Sequence, residues 1–507
     1  MKMKKLVAVM LCMVLALGSF GCARGEKEYA KNAGEDLKYV FFFIGDGMSY
    51  PQFQLASDYL GAMADADYMG ALPSLAYENR TATLDGPVEL NFMGFEEVGT
   101  AVTFDSCSFA PDSAAAGTAI ASGYKTYSNT INMDETRTIK FESIAEKIHS
   151  QLGWKVGIVS SANVNHATPA AFYAHQPTRN NYYEIGEELL QSGFEYFAGG
   201  GFRDVYGAEG DKRGLYERVP EAGYTLAMTE EEAEAITADS GKVLLVAENL
   251  ADANAMRYEI DREEEEWNLA DYVEKGIEVL ENETGFFMMC EGGKIDWACH
   301  ANDGGTVIHD VLAFADAVQV AIDFAKEHPK ETLILVTGDH ETGGLSIGYA
   351  ETNYDTYLTN YNSQKISFQM YTDEYVPAYK AEGTSFEEAM KDVEELFGLK
   401  MEGNQGDRLL LTEYEKEKLE TAYKKTMEGY SRGEYSQEEY ILYGTYDPFT
   451  VTITHVLNNK SGVDFTSYNH TGLPVAVFAE GVGAEVFDGY YDNTEIFQKL
   501  AALVEVK

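Results

Sequence analysis

A chain of 507 residues can bury a large core, either as one big domain with insertions or as two domains. Apolar residues at 45% and aromatics at 12% argue for a folded globular protein. The 84 acidic against 38 basic side chains argue against nucleic acid as a partner and would repel a phosphate ester at long range, so any anion site needs local positive charge of the kind bound cations supply.

The N-terminus carries Lys2, Lys4 and Lys5, an apolar run from Leu6 to Leu17, and then Gly18-Ser-Phe-Gly-Cys-Ala23. The run is shorter than the roughly 20 residues a spanning helix needs, so residues 1–22 read as a secretory signal. Cys22 after the small Gly21 resembles a bacterial lipoprotein cleavage site, with Ser19 where Leu is usual. Lipid on Cys22 would attach the chain to a membrane; ordinary cleavage after Ala23 is the alternative. The expectation is export, as a cell-surface lipoprotein or as a periplasmic or secreted protein.

Lys38-Tyr-Val-Phe-Phe-Phe-Ile44 is a continuous apolar run ending in Gly45-Asp46-Gly47, the pattern of a buried parallel strand entering a loop. Similar runs recur at Lys155–Ser160, Gly285–Cys290, Thr332–Val336 and Leu473–Ala479. Helical patterns over Phe141–Gln151, Tyr183–Gln191, Asp271–Leu280 and Thr306–Lys326 lie between them. The alternation predicts an α/β fold, a three-layer α/β/α sandwich with a mostly parallel central sheet. Ligands in that architecture gather at the carboxyl ends of strands, where Asp46, Glu291 and the pair Asp339-His340 all fall. Residues 351 to about 450 break the pattern, being rich in Tyr, Glu and Lys with a charged helical stretch at Thr412–Met427. They read as an insertion subdomain packed over the main domain.

In Phe109-Ala-Pro-Asp-Ser-Ala-Ala-Ala-Gly-Thr-Ala119, a loop delivers Ser113 to the first turn of an Ala-rich helix, whose positive end favours an anion beside the hydroxyl. On this segment alone a packing helix capped by Ser113 is the plainer reading. Metal ligands elsewhere change the balance. In Glu291-Gly-Gly-Lys-Ile-Asp296-Trp-Ala-Cys-His300, Asp296 and His300 stand four apart, on one face of a helix and within reach of one zinc. Thr337-Gly-Asp339-His340 adds a second such pair, and Asn469-His470-Thr-Gly472 a further histidine. Three histidines and three carboxylates (Asp46, Asp296, Asp339) suit two zinc ions, while the oxygen donors of Glu291 and Thr168 suit magnesium. In His166-Ala-Thr-Pro169, proline suits the first turn of a helix with Arg179 near its end, where a guanidinium would grip two oxygens of a tetrahedral anion. His149, His309 and His328 sit in helix-like contexts and His455 in a strand-like one, all read as structural or exposed. Cys107, Cys290 and Cys299 read as small buried hydrophobes, with a Cys290–Cys299 bridge left open.

These motifs together resemble the alkaline phosphatase family. The matching stretches follow the family's order over nearly all of residues 36–507: Ile44-Gly-Asp-Gly-Met-Ser49, Pro111-Asp-Ser-Ala-Ala-Ala116, Ala167-Thr-Pro-Ala170 with Arg179, Glu291 to His300, Thr337-Gly-Asp-His340 and His470-Thr-Gly472. The resemblance implies that Ser113 is the nucleophile that becomes phosphorylated and that Arg179 binds the phosphate of a small-molecule monoester. It implies one zinc held by Asp296, His300 and His470, activating the water that hydrolyses the phosphoserine. A second zinc on Asp46, Asp339 and His340 would lower the pKa of Ser113. Asp46 would bridge to a magnesium also held by Thr168 and Glu291. Two departures stand beside that third site: His166 where some bacterial members carry an acidic residue, and Trp297 where those have lysine. Family members are often homodimers. The alternatives are a phosphodiesterase or metabolite-specific phosphatase of the same superfamily, and, from another class, a non-catalytic surface binder of phosphate or metal. A sulfatase is disfavoured because Ser113 lacks the Cys/Ser-x-Pro-x-Arg context.

Overall fold

The computed structural model describes residues 37–65, 84–404, 406–430 and 435–507. The leader 1–22, with Cys22, lies outside the described residues. Strands, in chain order, are β1 (Tyr39–Gly45), β2 (Glu97–Val102), β3 (Lys155–Ser160), β4 (Tyr196–Gly199), β5 (Tyr224–Ala227), β6 (Lys242–Val246), β7 (Phe286–Gly292), β8 (Thr332–Gly338), β9 (Glu341–Thr342), β10 (Leu345–Ile347), β11 (Val463–Phe465), β12 (His470–Thr471), β13 (Val475–Gly481) and β14 (Gly489–Asp492). Ten of them form one sheet in the order β14-β2-β13-β8-β1-β7-β3-β4-β6-β5. Only β13 opposes the others, pairing antiparallel with both β2 and β8.

Every residue of β1 is buried because the strand is central and covered on both faces. Tyr39, Phe41 and Phe43 alternate into one core and Val40, Phe42 and Ile44 into the other. The first core is closed by α1 (Tyr50–Ala64), and later along the chain by α3 (Leu269–Leu280), α5 (Gly304–Glu327) and α6 (Pro448–Ser461), the second by α2 (Ser113–Ser122) and α7 (Thr494–Leu503). The short helix α4 (Lys294–His300) turns off the end of β7. This is the expected three-layer α/β/α sandwich.

Helices between 368 and 443 present Phe368, Tyr371, Val393, Phe397 and Leu419 to the same core as α1 and α5. The chain leaves through β10 and re-enters through β11, which pair antiparallel with Leu345 opposite Phe465, so the departing segment has a single base. Among the described residues no helix is long and apolar enough to cross a membrane.

Several local expectations are corrected. The helix placed at Phe141–Gln151 begins at Ile144, because Ser143 caps it and Glu146 returns the hydrogen bond. The helix opening at Ala167 ends at Ala170, and Arg179 lies in a turn beyond it, its N–H donating to Asn129 O at 2.7 Å. His455 belongs to α6, not to a strand: Pro448 and the cap Asp447 start a helix that the β-branched run 450–456 then follows. Glu291 lies within β7 rather than past it. Cys290 and Cys299 are buried and unbridged, whereas Cys107 is exposed.

Candidate active site

The parallel strands bring their carboxyl ends to one edge in register, Gly45 standing opposite both Gly292 and Gly338. Asp46 and Asp339 therefore leave adjacent strands at the same level, and Glu291, opposite Ile44 and Ser160, sits one step inside. Glycines let the backbones close in. Gly47 has φ 71°, and its N–H donates to Asp339 Oδ1 at 3.1 Å. A Cβ on Gly338 would stand 1.9 Å from Met48 O. Because β13 runs the opposite way, its amino end reaches this same edge, and β12 just before it carries His470, paired with Thr342 of β9.

Ser113 is the first residue of α2 and is buried. The cap is Asp112, whose carboxylate accepts from Ala115 N, so Ser113 is free for another task. Its Oγ lies 3.1 Å from His340 Nε2. Arg179 donates from Nη1 to Asp112 Oδ2 at 3.2 Å and from Nη2 to His166 Nε2 at 2.8 Å, which aims its fork past the start of α2.

Ligating atoms fall into three groups, each with its members within 4.8 Å of one another: Asp296, His340 and His470; Asp46, Asp339 and His340; Asp46, His166 and Glu291. His300 joins the first, its Nε2 standing 3.3 Å from Asp296 Oδ2 and 3.1 Å from His470 Nε2. Thr168 Oγ1 stands 3.2 Å from Asp46 Oδ2, beside the third. His166, expected next to that third set, is within it: its Nδ1 faces Glu291 Oε1 at 3.7 Å and Asp46 Oδ2 at 3.9 Å. Trp297 packs edge-on against His166, the centroids 5.8 Å apart. The structure thus brings the candidate ligands together with Ser113, Arg179, His166 and Trp297 at one edge of the sheet.

Surrounding groups orient the imidazoles, as metal sites require. His300 Nδ1 meets Tyr468 O at 2.5 Å and His470 Nδ1 meets Pro111 O at 2.5 Å, leaving Nε2 of each turned inward. Sequence reasoning missed Asp112 as a holder of Arg179, Thr342, whose hydroxyl donates to Asp296 Oδ1 at 2.5 Å, and Ser160, which donates to Glu291 Oε2. Asp112 adjoins the serine in sequence, but nothing local marks Thr342 or Ser160.

The electrostatics call for cations. Burial, reinforced by the charges of Asp339, Asp296 and Glu291, pushes Asp46 far above the usual carboxylate range. Burial and the charge of Asp296 push Asp339 up to about 8. Burial also lowers His340, His470 and His166. At Asp296 burial is outweighed by His300, His470 and His340, which hold it low, and at His300 burial is outweighed by Asp296, which raises it. Asp46 Oδ1, Asp339 Oδ2, Glu291 Oε1 and His166 Nδ1 are buried with no hydrogen-bond partner. Buried polar atoms are rarely left so, and orphans converging on one spot fit bound metal ions.

A family model described as alkaline phosphatase matches residues 37–506. The chain belongs to the alkaline phosphatase family. The family is one of metal-dependent phosphomonoesterases. Alkaline phosphatase 4 of Bacillus subtilis (strain 168) is 29% identical over 506 residues, spanning 97% of this chain and 95% of that relative. The cold-active alkaline phosphatase of Shewanella sp. superposes with a TM-score of 0.71 at 26% identity, over 92% of this chain and all of the other (100%). A variant of the alkaline phosphatase from the Antarctic bacterium TAB5, with Mg bound in its M3 site, shares the fold at 24% identity and a TM-score of 0.59, over 93% of this chain and 99% of its own.

Proposed function

We propose that this chain is an exported alkaline phosphatase that hydrolyses phosphate monoesters through a phosphoserine at Ser113. The observation that carries the reading is the placement of Ser113 Oγ at the start of α2, 3.1 Å from His340 Nε2 and among orphaned ligand atoms. Asp296, His300 and His470 would hold one zinc, Asp46, Asp339 and His340 another, and Asp46, Glu291 and Thr168 with His166 a magnesium. Bound there, the ions supply Lewis-acid stabilisation of the attacking and leaving oxygens and the positive charge that the acidic surface lacks.

The chain's own groups do the rest. Arg179 has one guanidinium nitrogen on Asp112 and one on His166, so it is charged and preoriented to grip two phosphate oxygens. A monoester dianion carries a second negative charge that a diester lacks, and a cationic fork therefore favours the monoester. The positive end of α2 faces the same anion. Ser113 Oγ gives its proton to solvent and bonds to phosphorus as the ester P–O bond breaks, and the departing alkoxide takes a proton from solvent. A water then attacks the phosphoserine and loses a proton, the Oγ–P bond breaks, Ser113 Oγ is reprotonated, and inorganic phosphate leaves. The balance is ester plus water giving alcohol plus phosphate.

Residues 1–22 would direct export, with lipid on Cys22 or cleavage after Ala23 deciding whether the product stays at the membrane. Residues 351 to about 450 are read as an insertion over the catalytic domain, and a homodimer is the expected assembly. Protein loaded with zinc and magnesium should release phosphate from an aryl phosphate at alkaline pH. Ser113→Ala should lower kcat by roughly a thousandfold or more. Undiminished turnover by that variant would rule out the proposed nucleophile.

A further inference from the structure

The helix α4 ends on His300, and the loop between β11 and β12 leads into His470. Their Nε2 atoms stand 3.1 Å apart although 170 positions separate them in the chain. Between the two segments sits Asn302, 2% exposed, which the chemistry above does not use. We propose that Asn302 is a positioning residue: its side-chain amide sets the spacing of His300 and His470 and so preorganises the group of Asp296, His300 and His470 for a cation. The inference rests on the metal-ligand reading of that group and goes beyond it by naming what holds its geometry.

Asn302 Nδ2 donates to Cys299 O at 2.9 Å and to Ser467 O at 2.9 Å. Cys299 immediately precedes His300, and Ser467 precedes Tyr468, whose carbonyl meets His300 Nδ1 at 2.5 Å. One amide therefore clamps the end of α4 to the loop that carries both the holder of His300 and, two residues on, His470 itself. The backbone is shaped for this reach. Asn302 follows the cap Ala301 with φ 51°, and its N–H closes on Cys299 O at 3.0 Å. That is the left-handed turn past a helix end which Gly and Asn adopt with least strain. Two carbonyls at Nδ2 also fix which way the amide points, leaving Oδ1 to accept from His455 Nε2 at 3.1 Å. Asn458, on the same face of α6 as His455, donates to Asn302 O at 2.7 Å and accepts from Tyr361 Oη at 3.0 Å. Each polar atom of Asn302 thus has a partner, so the amide is held from α6 as well as from the segments it joins. The His300 side chain is partly exposed, which makes its orientation depend on these bonds more than on packing. Groups that orient a ligand from behind are worth ~10–100-fold in metal affinity.

The test titrates zinc into the metal-free protein by calorimetry. The parent should bind in successive phases, and His300→Ala, which removes a ligand outright, identifies the phase that belongs to Asp296, His300 and His470. Asn302→Gly keeps the left-handed backbone but deletes the amide. It should weaken that phase by ~10–100-fold and leave the phase of Asp46, Asp339 and His340 within about twofold of the parent. His455→Leu, which strips Oδ1 of its donor, should weaken the same phase by a smaller factor, and His455→Gln, which restores an N–H, should recover it. Melting temperatures of the metal-free variants check folding, and the His455 pair decides if Asn302→Gly does not fold. An unchanged phase overturns the positioning role, and so does equal weakening of both phases, the mark of a generally loosened fold. A parent protein that binds no zinc overturns the metal-ligand reading, and this inference with it.

Discussion

Arg179 and His166 share one hydrogen bond, and each prediction at the level of single side chains turns on it. On the proposed role of Arg179, Arg179→Ala would remove two charge-assisted bonds to phosphate, each of the ~1.5–3 kcal/mol class, so kcat/KM for a monoester should fall by ~10²-fold or more, read from initial rates. Arg179→Lys should recover only part of this, because an ammonium cannot span two oxygens. His166 brings a nitrogen donor to a set otherwise made of oxygens. His166→Asp should therefore tighten magnesium binding at the third set at the expense of softer ions, measurable by titration calorimetry on metal-free protein. Unchanged magnesium affinity would show that His166 does not face a cation. The candidate site residues were legible only as a set: Asp-Ser-Ala alone reads as the start of a packing helix, and it is the Asp-His and Asp-x-x-x-His pairs elsewhere that change the balance. The supports were not: Thr342 reaches Asp296 across 46 positions and Ser160 reaches Glu291 across 131. Such separations leave no local pattern to read.

Among the elements, β1 has the most to lose. Phe42 and Phe43 point into opposite cores and both are fully buried. Phe42→Ala and Phe43→Ala should each cost ~3–5 kcal/mol in urea unfolding, in contrast to a half-buried strand where one face tolerates truncation. A cost under ~1 kcal/mol for either would contradict burial on both faces. The buried strands were legible because continuous apolar runs admit few other readings. Strands β2, β4, β5, β6 and β14 were not. They lie toward the sheet edges, all five are only four to six residues long, and β2 and β14 mix exposed with buried positions. Arg179 shows the same limit in reverse. Pro169 correctly marked a helix start, but the chain turns away after Ala170, and Arg179 reaches the site from a turn.

For the whole molecule, the concentration of buried carboxylates should make stability depend on cations. In metal-free protein the carboxyl of Asp339 is raised to about 8, and Asp46 is raised as well, from the ~3.9 of an unfolded chain. The folded state then holds protons that the unfolded state has released, so stability must fall as pH rises through the folded values. His340 and His470, lowered by burial, act in the opposite sense below ~6.5, and Asp296, held low, is constant above its unfolded value. The clean window is therefore about pH 6.5 to 8, where only Asp46, Asp339 and the raised His300 act among the ligands, all in one direction. Scanning calorimetry with a chelator should show Tm declining over that window. Zinc and magnesium should raise Tm and abolish the decline, since cations favour the ionised carboxylates. A metal-free Tm that climbs with pH would contradict the assignment. From its residues alone the chain determined which groups exist, what each could ligate or attack, and that strands would alternate with helices, because periodicity and side-chain chemistry are local properties. Only the tertiary structure decided that Asp46 and Asp339 leave neighbouring strands at one level, with Glu291 just inside them on β7. It also decided that the antiparallel β13 returns His470 to their edge. Strand order and direction are set by packing between distant segments, which no stretch of sequence carries by itself.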